Sequence, residues 1–274
     1  MTDNPININH TMYFIDTHTH LDGSEFDADR DEVMARAKAV GVGKVFIPAV
    51  NLQSLANVIE TCRRYPGYAY PMIGLHPEDV NAEWNETLSR MKPLLDNPEH
   101  PFIAIGEVGL DYYWSREFES EQLEAFARQI DWSVEYNLPL MIHCRKGQNE
   151  MIHLLRQYGK ALPGGVFHCF TGNEKEAVEL LQFENFVLGI GGVLTFKKSH
   201  LPEVLPSVVP LSRIVLETDS PYMAPVPMRG KRNESAYVAH VLQRLAGCYG
   251  VSEDEVAAVT TGNVRRIFGD KPFI

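Results

Sequence analysis

A (β/α)8 barrel carrying additional helices at its C-terminal end is the fold this sequence predicts. Three observations point there. Eight short apolar or β-branched runs alternate with segments of helical periodicity. The 274 residues match the size that eight βα units require. No Gly-x-Gly-x-x-Gly loop follows the first run, although a doubly wound nucleotide-binding sheet would call for one there.

Taken in order, strands are expected at Tyr13 to Thr17, Lys44 to Val50, Tyr68 to Leu75, Phe102 to Glu107, Leu140 to His143, Gly165 to His168, Phe186 to Ile190 and Arg213 to Glu217. Between them, Asp27 to Val40, Leu52 to Tyr65, Glu117 to Tyr136 and Lys175 to Phe183 repeat apolar residues at helical spacing. After the last strand, residues 234–268 hold two further amphipathic helices. The second should begin near Ser252, where Ser-x-x-Glu (Ser252, Glu255) forms a capping box. Glycine and proline fall in turns, and no charge run or low-complexity stretch marks a linker. The expectation is one domain spanning residues 1–274, with residues 1–12 as an N-terminal tail.

Composition narrows the function classes. No apolar run approaches the roughly 20 residues of a membrane helix, and the polar start lacks a signal-peptide core. Cys62, Cys144, Cys169 and Cys248 contain no Cys-x-x-Cys pair, which fits reduced thiols better than a disulfide framework or a cysteine zinc site. A cytoplasmic protein, monomeric or weakly oligomeric, is expected. The formal charge of −11 and pI near 5.4 exclude a protein that coats nucleic acid by bulk attraction. A phosphodiester substrate stays open, because bound cations and a few arginines can neutralise phosphate locally.

Barrel enzymes collect their chemistry at the C-terminal strand ends. Those ends carry His18 and His20, His76, Glu107, His143 and Arg145, His168, and finally Glu217 and Asp219. His18 and His20 are two residues apart, so an extended chain turns both to one side. Imidazoles and carboxylates gathered at one face suit a divalent metal site. His10, His100, His153, His200 and His240 fall in the tail, loops or helices and are left out. Cys144 and Cys169 each follow a candidate histidine, so alternation should turn them away from the site.

These residues sit in longer motifs: Asp-Thr-His-Thr-His-Leu-Asp at the start, Gly-Leu-His-Pro around His76, and Gly-Glu-Val-Gly-Leu-Asp-Tyr-Tyr around Glu107. Further on come Ile-His-Cys-Arg around His143, His-Cys-Phe-Thr-Gly from His168, Glu-Thr-Asp-Ser-Pro-Tyr around Asp219, and Asn-Val-Arg-Arg-Ile-Phe near the end. In this combination the chain resembles the TatD-like metal-dependent deoxyribonucleases, within the amidohydrolase-type metal hydrolases. The resemblance implies one metal on His18, His20, Glu107 and Asp219 and a second on Glu107, His143 and His168, with Glu107 bridging. Many relatives bridge with a carboxylated lysine; no lysine stands at a strand end here. One departure is visible: Asn233-Glu234-Ser235 stands where Asn-Glu-Pro is expected, which puts the shape of that loop in question.

The activity so implied is hydrolysis of DNA phosphodiester bonds, as a 3'-5' exonuclease on single-stranded DNA or 3' ends. Water activated between two divalent ions (Zn, Mn or Mg) would attack, with Asp219 as general base. His76, Arg145 and Arg229 are the candidate phosphate contacts. Arg229, Lys231 and Arg232 form a basic loop that is either at the mouth or simply solvated. Tyr112, Tyr113 and Trp114 either stack bases or pack a loop against the barrel. Two rivals remain: an amidohydrolase acting on a C–N bond, lactone or phosphotriester with the same metals, and a metal-binding scaffold without catalysis.

Overall fold

Parallel pairing organises the computed structural model, which describes residues 12–274; most of the expected N-terminal tail lies outside the described residues. Strands β1 (Phe14–Asp16), β2 (Val42–Pro48) and β3 (Ala69–Met72) pair side by side. Strands β4 (Ile105–Asp111), β5 (Leu140–Arg145), β6 (Gly165–Phe167), β7 (Phe186–Ile190) and β8 (Ile214–Leu216) form a second parallel run. Single bridges close the ring: Ile73 to Ile105 joins β3 to β4, and Thr19 to Ser220 joins the two ends. The result is the eight-stranded barrel expected from the sequence.

Helices α1 (Arg30–Ala39), α2 (Leu52–Arg64), α3 (Trp84–Leu95), α4 (Glu119–Tyr136), α5 (Gln148–Tyr158), α6 (Glu174–Leu180) and α7 (Leu201–Val208) return the chain between strands. The C-terminal helices α8 (Val238–Tyr249) and α9 (Glu253–Phe268) follow β8. Capping residues set several starts. Asn51 Oδ1 accepts from the backbone N–H of Gln53 and Ser54 at α2, both at 3.0 Å. Ser252 Oγ accepts from Glu255 N at α9, which is the serine half of the expected capping box; the reciprocal bond from Ser252 N to the Glu255 side chain does not form.

The core has two shells because strand residues alternate faces. Outward, Val45, Ile47, Leu110, Ile142, Leu188 and Leu216 pack under the helices. Inward, Ile15, Phe46, Met72, Met141, Val166, Val187 and Val215 fill the barrel axis, each buried. Val264, Ile267 and Phe268 of α9 join this inner cluster. Helix α9 therefore closes the N-terminal end of the barrel, and the opposite end is left for the site.

The expected strands differ from the observed ones mainly at β4. It was placed at Phe102 to Glu107, yet it runs to Asp111, with a register shift against β5 between Ile105 and Val108. A glycine hides this extension from a reading by propensity. Gly109 (φ +137°) passes so close to β5 that an added Cβ would lie 1.9 Å from the His143 carbonyl oxygen.

Candidate metal centre

Glu107 sits at the middle of the open end, and its two oxygens face different neighbours. Oε2 lies 3.3 Å from His18 Nε2 and 3.6 Å from His20 Nε2. Oε1 lies 3.1 Å from His143 Nδ1, 3.4 Å from His76 Nε2 and 3.8 Å from His168 Nε2. Asp219 Oδ1 closes the ring, 3.6 Å from His20 Nε2 and 3.8 Å from the Nε2 atoms of both His18 and His168. His18 and His168 stack with ring centroids 3.5 Å apart. The donor atoms of His18, His20 and Glu107 all lie within 4.8 Å of one another; so do those of His18, His168 and Asp219, and those of His76, Glu107 and His143.

The electrostatics fit a cation. Burial alone would raise the pKa of Glu107, but His76 and His18 outweigh it and hold the carboxylate well below its usual range. Burial opposes protonation of His168 too, yet Glu217 wins and lifts that imidazole to about 10. His143 is treated likewise by Asp111 and Glu107 and reaches about 9. Of the imidazoles in the ring, His18 is pushed down, by burial and by His168, and its Nδ1 is buried with no partner among the described residues. Protons thus substitute for positive charge that these carboxylates demand. Imidazole nitrogens and carboxylate oxygens crowded this closely are a donor set for divalent metal, so the residues present fit such an ion.

Behind the ring stands a second layer of partners. Glu217, fully buried, lies 3.1 Å from His168 Nδ1, and its Oε1 also accepts from Cys169 N at 2.6 Å. Asp111 Oδ2 lies 2.8 Å from His143 Nε2. Carboxylates in these positions orient ligand imidazoles and raise their basicity. His76 Nδ1 accepts from Glu78 N at 3.1 Å, which aims Nε2 at Glu107.

Comparison with known proteins settles the family. The model of the TatD-related DNases matches residues 15–269. The chain belongs to the TatD-related DNase family. A metal-dependent hydrolase of Bacillus subtilis, YabD, is 36% identical over 253 residues, covering 92% of this chain and 98% of the relative. The 3'-5' ssDNA/RNA exonuclease TatD of Cronobacter sakazakii is 34% identical over 258 residues, covering 92% and 97%. Among solved structures, the TatD homolog YJJV of Escherichia coli K12 superposes with a TM-score of 0.86 at 28% identity, covering 94% of this chain and 98% of that one. This TatD-family chain is a metal-dependent hydrolase acting on ester bonds.

The expected site residues fare differently. His18, His20, Glu107, His143, His168 and Asp219 converge as described. His76, a candidate phosphate contact, lines the cavity but is buried against Glu107, 3.4 Å from its Oε1. Arg145 lines the cavity over the centre, which measures about 900 Å³. Arg229 does not reach it. Its guanidinium lies over the Phe196 ring at 3.9 Å and donates to the Ala224 carbonyl at 2.9 Å. Arg232 is held by Asp29 at 2.7 and 2.8 Å, so two of the three basic-loop residues have structural partners.

The cysteine expectation needs correction at Cys169, which lines the cavity, whereas Cys144, although it borders the cavity too, packs with the outer cluster as alternation along β5 requires. Strand β6 ends at Phe167 and Cys169 has φ +49°, so alternation no longer applies there. Burial and the nearby carboxylates push the Cys169 thiol up, and burial pushes Cys144 up to about 12, so without metal both thiols stay protonated at neutral pH. Asp111 and Glu217 are the functional positions that sequence reasoning left unassigned. Their signal was present, since Asp111 closes the Gly-Glu-Val-Gly-Leu-Asp motif and Glu217 precedes Asp219 by two.

The altered Asn-Glu-Ser loop keeps a defined shape. Buried Asn233 donates through Nδ2 to the carbonyls of Thr218 (2.8 Å) and Tyr222 (2.6 Å), and Glu234 takes both ends of the Arg36 guanidinium at 2.8 and 2.7 Å. Ser235, also buried, contacts Thr19 Oγ1 at 3.5 Å.

Proposed function

We propose that this protein hydrolyses phosphodiester bonds of single-stranded nucleic acid, removing nucleotides from 3' ends of DNA, with the centre around Glu107 as its metal site. The observation that carries this reading is the division of Glu107: one oxygen toward His18 and His20, the other toward His143 and His168, as a bridging carboxylate requires. A carboxylate can therefore do here what a carboxylated lysine does elsewhere. The first metal position would be held by His18, His20, Glu107 and Asp219, and the second by Glu107, His143 and His168. When bound, two divalent ions (Zn, Mn or Mg) supply charge neutralisation for phosphate and acidify water.

The chain's own groups divide the remaining work. Burial disfavours ionised Asp219, but the neighbouring imidazoles of His20, His168 and His18 outweigh it and hold its carboxyl below the usual range. Its carboxylate lines the cavity, where it accepts the proton of the attacking water. Arg145 offers two parallel N–H donors to non-bridging phosphate oxygens. His76 holds its Nε2 edge toward the same space. Two relatives' properties agree with this assignment: the Cronobacter protein is named for single-stranded DNA and RNA, and the Bacillus protein for metal dependence. Placement in the cytoplasm, where such ends arise and thiols stay reduced, is part of the proposal; none of the four cysteines is in a disulfide, and no described helix is long and apolar enough to cross a membrane.

Digestion of end-labelled single- and double-stranded DNA tests the reading. With Mg²⁺, Mn²⁺ or Zn²⁺ supplied, 5'-labelled single strands should shorten from the 3' end, and Glu107→Ala should abolish this. If DNA stays intact under all three metals while an amide or lactone is turned over, the bond assignment is wrong.

A further inference from the structure

A second cavity of about 840 Å³ adjoins the first, and His168, Cys169, Thr171, Cys144 and Arg145 line both. Each volume alone is in the range that holds one small-molecule ligand. Together they form one track that passes the metal centre and continues over the β5–α5 and β6–α6 connections.

The threshold between them carries an unusual aromatic group. The Arg145 guanidinium carbon lies 3.5 Å from the Tyr113 ring centroid and 5.5 Å from that of Trp114. Tyr113 and Trp114 meet edge to face at 4.7 Å. They are 48% and 71% exposed, whereas their neighbour Tyr112 is buried. Loop packing thus accounts for Tyr112 but leaves the other two rings in solvent, one on each cavity. Aromatic faces displayed this way suit the exposed faces of unpaired bases.

Charge on the far side agrees. Of the charged residues lining the second cavity, Glu179 pairs with Arg156 and Arg116 with Glu119, which leaves Glu150 and Glu176, the latter capping α6 through Asn173 N, against three cations. Lys146 and Lys175 line it with no carboxylate in ion-pair distance among the described residues, and Arg145 stands at its edge. A local cationic excess in a chain of net charge −11 marks a place for phosphates.

We propose that this second cavity is a subsite for the nucleotides adjoining the scissile bond of a single-stranded chain. Tyr113 and Trp114 stack a base at its threshold, and Lys146 and Lys175 neutralise the phosphates beyond. This rests on the phosphodiesterase reading above.

The test is a length series under saturating metal: a thymidine dinucleotide, a hexanucleotide, and a hexanucleotide abasic at the positions next to the scissile one. Wild type should show a KM at least tenfold lower for the hexanucleotide than for the dinucleotide. The pair Lys146→Gln with Lys175→Gln should remove roughly tenfold of that advantage, with dinucleotide turnover reporting that the centre is intact. Trp114→Ala should raise KM roughly tenfold on the base-bearing hexanucleotide and not on the abasic one. Absence of a length advantage in wild type, its persistence in the lysine variant, or equal losses on short and long substrates would each overturn the subsite. Wild type that cleaves neither length would instead remove the phosphodiesterase reading, and the subsite with it.

Discussion

Exchanging Glu217 for glutamine separates charge from geometry behind the metal centre. Glu217 Oε1 alone serves both contacts, lying 3.1 Å from His168 Nδ1 and 2.6 Å from Cys169 N. A glutamine carbonyl in that place keeps the acceptor for Cys169 N and an oxygen beside His168 Nδ1, and removes only the negative charge. Oε2 already lacks a hydrogen-bond partner, in space left by Gly189, where a Cβ would come within 2.1 Å of it. The amide nitrogen replaces an oxygen that already lacks a partner, but the charge that holds His168 protonated is lost, so the metal-free protein should be destabilised near neutral pH, by up to about 3–5 kcal/mol. Function should move as well. Loss of a carboxylate behind a ligand imidazole costs about 10- to 100-fold in metal affinity or activity, and retention of the acceptor puts Glu217→Gln near the lower end. Tenfold corresponds to about 1.4 kcal/mol. The assay is calorimetric titration of metal-depleted protein with Mn²⁺, followed by single-stranded DNA hydrolysis at saturating Mn²⁺, with denaturant unfolding as control. Wild-type affinity and turnover in both Glu217→Gln and Glu217→Ala would refute the reasoning, because His168 would then need no partner on Nδ1.

Three further outcomes follow from the same geometry. Asn233→Ala strands two carbonyls behind β8 and should destabilise by about 2–4 kcal/mol, read as a lower urea midpoint at unchanged slope. Ser235→Pro should be tolerated within about 1 kcal/mol: Ser235 opens a short helix, where proline fits, and Glu234 before it is extended (φ −151°, ψ 158°), as a residue preceding proline prefers. A larger loss of midpoint would show that the Ser235 hydroxyl matters more than its 3.5 Å contact suggests. Removing metal with a chelator should end hydrolysis and lower the thermal midpoint, and added Mn²⁺ should restore both. Metal at 100 times its Kd is worth about 2.7 kcal/mol to the folded state, so an unchanged midpoint would mean that no ion is bound at the centre.

Much of the barrel was legible because its signals are local. Apolar runs of strand length, helical periodicity between them and the Ser252 cap each depend on neighbours within a few residues. The six candidate ligands were legible as well, since they end such runs in family motifs. Alternation failed where the backbone leaves regular geometry. Counting inward from Ile15 selects Thr17 rather than His18, yet β1 ends at Asp16 and the histidines reach the centre through the irregular segment beyond it. The same holds for Cys169 past the end of β6. Arg229 was misplaced for another reason: charge says that a group wants a partner, not whether solvent, a ring face or a phosphate supplies it.

By itself, then, the sequence determined the class of fold, the chemical types gathered at strand ends and the family to which they belong. Those follow from periodicity and motif, which are written in consecutive residues. Tertiary structure alone decided that Glu107 faces two groups with two oxygens, that Asp111 and Glu217 back His143 and His168, and that a second cavity lies beyond Arg145. Such facts rest on distances between residues far apart in the chain, set by strand register, barrel closure and backbone turns at strand ends.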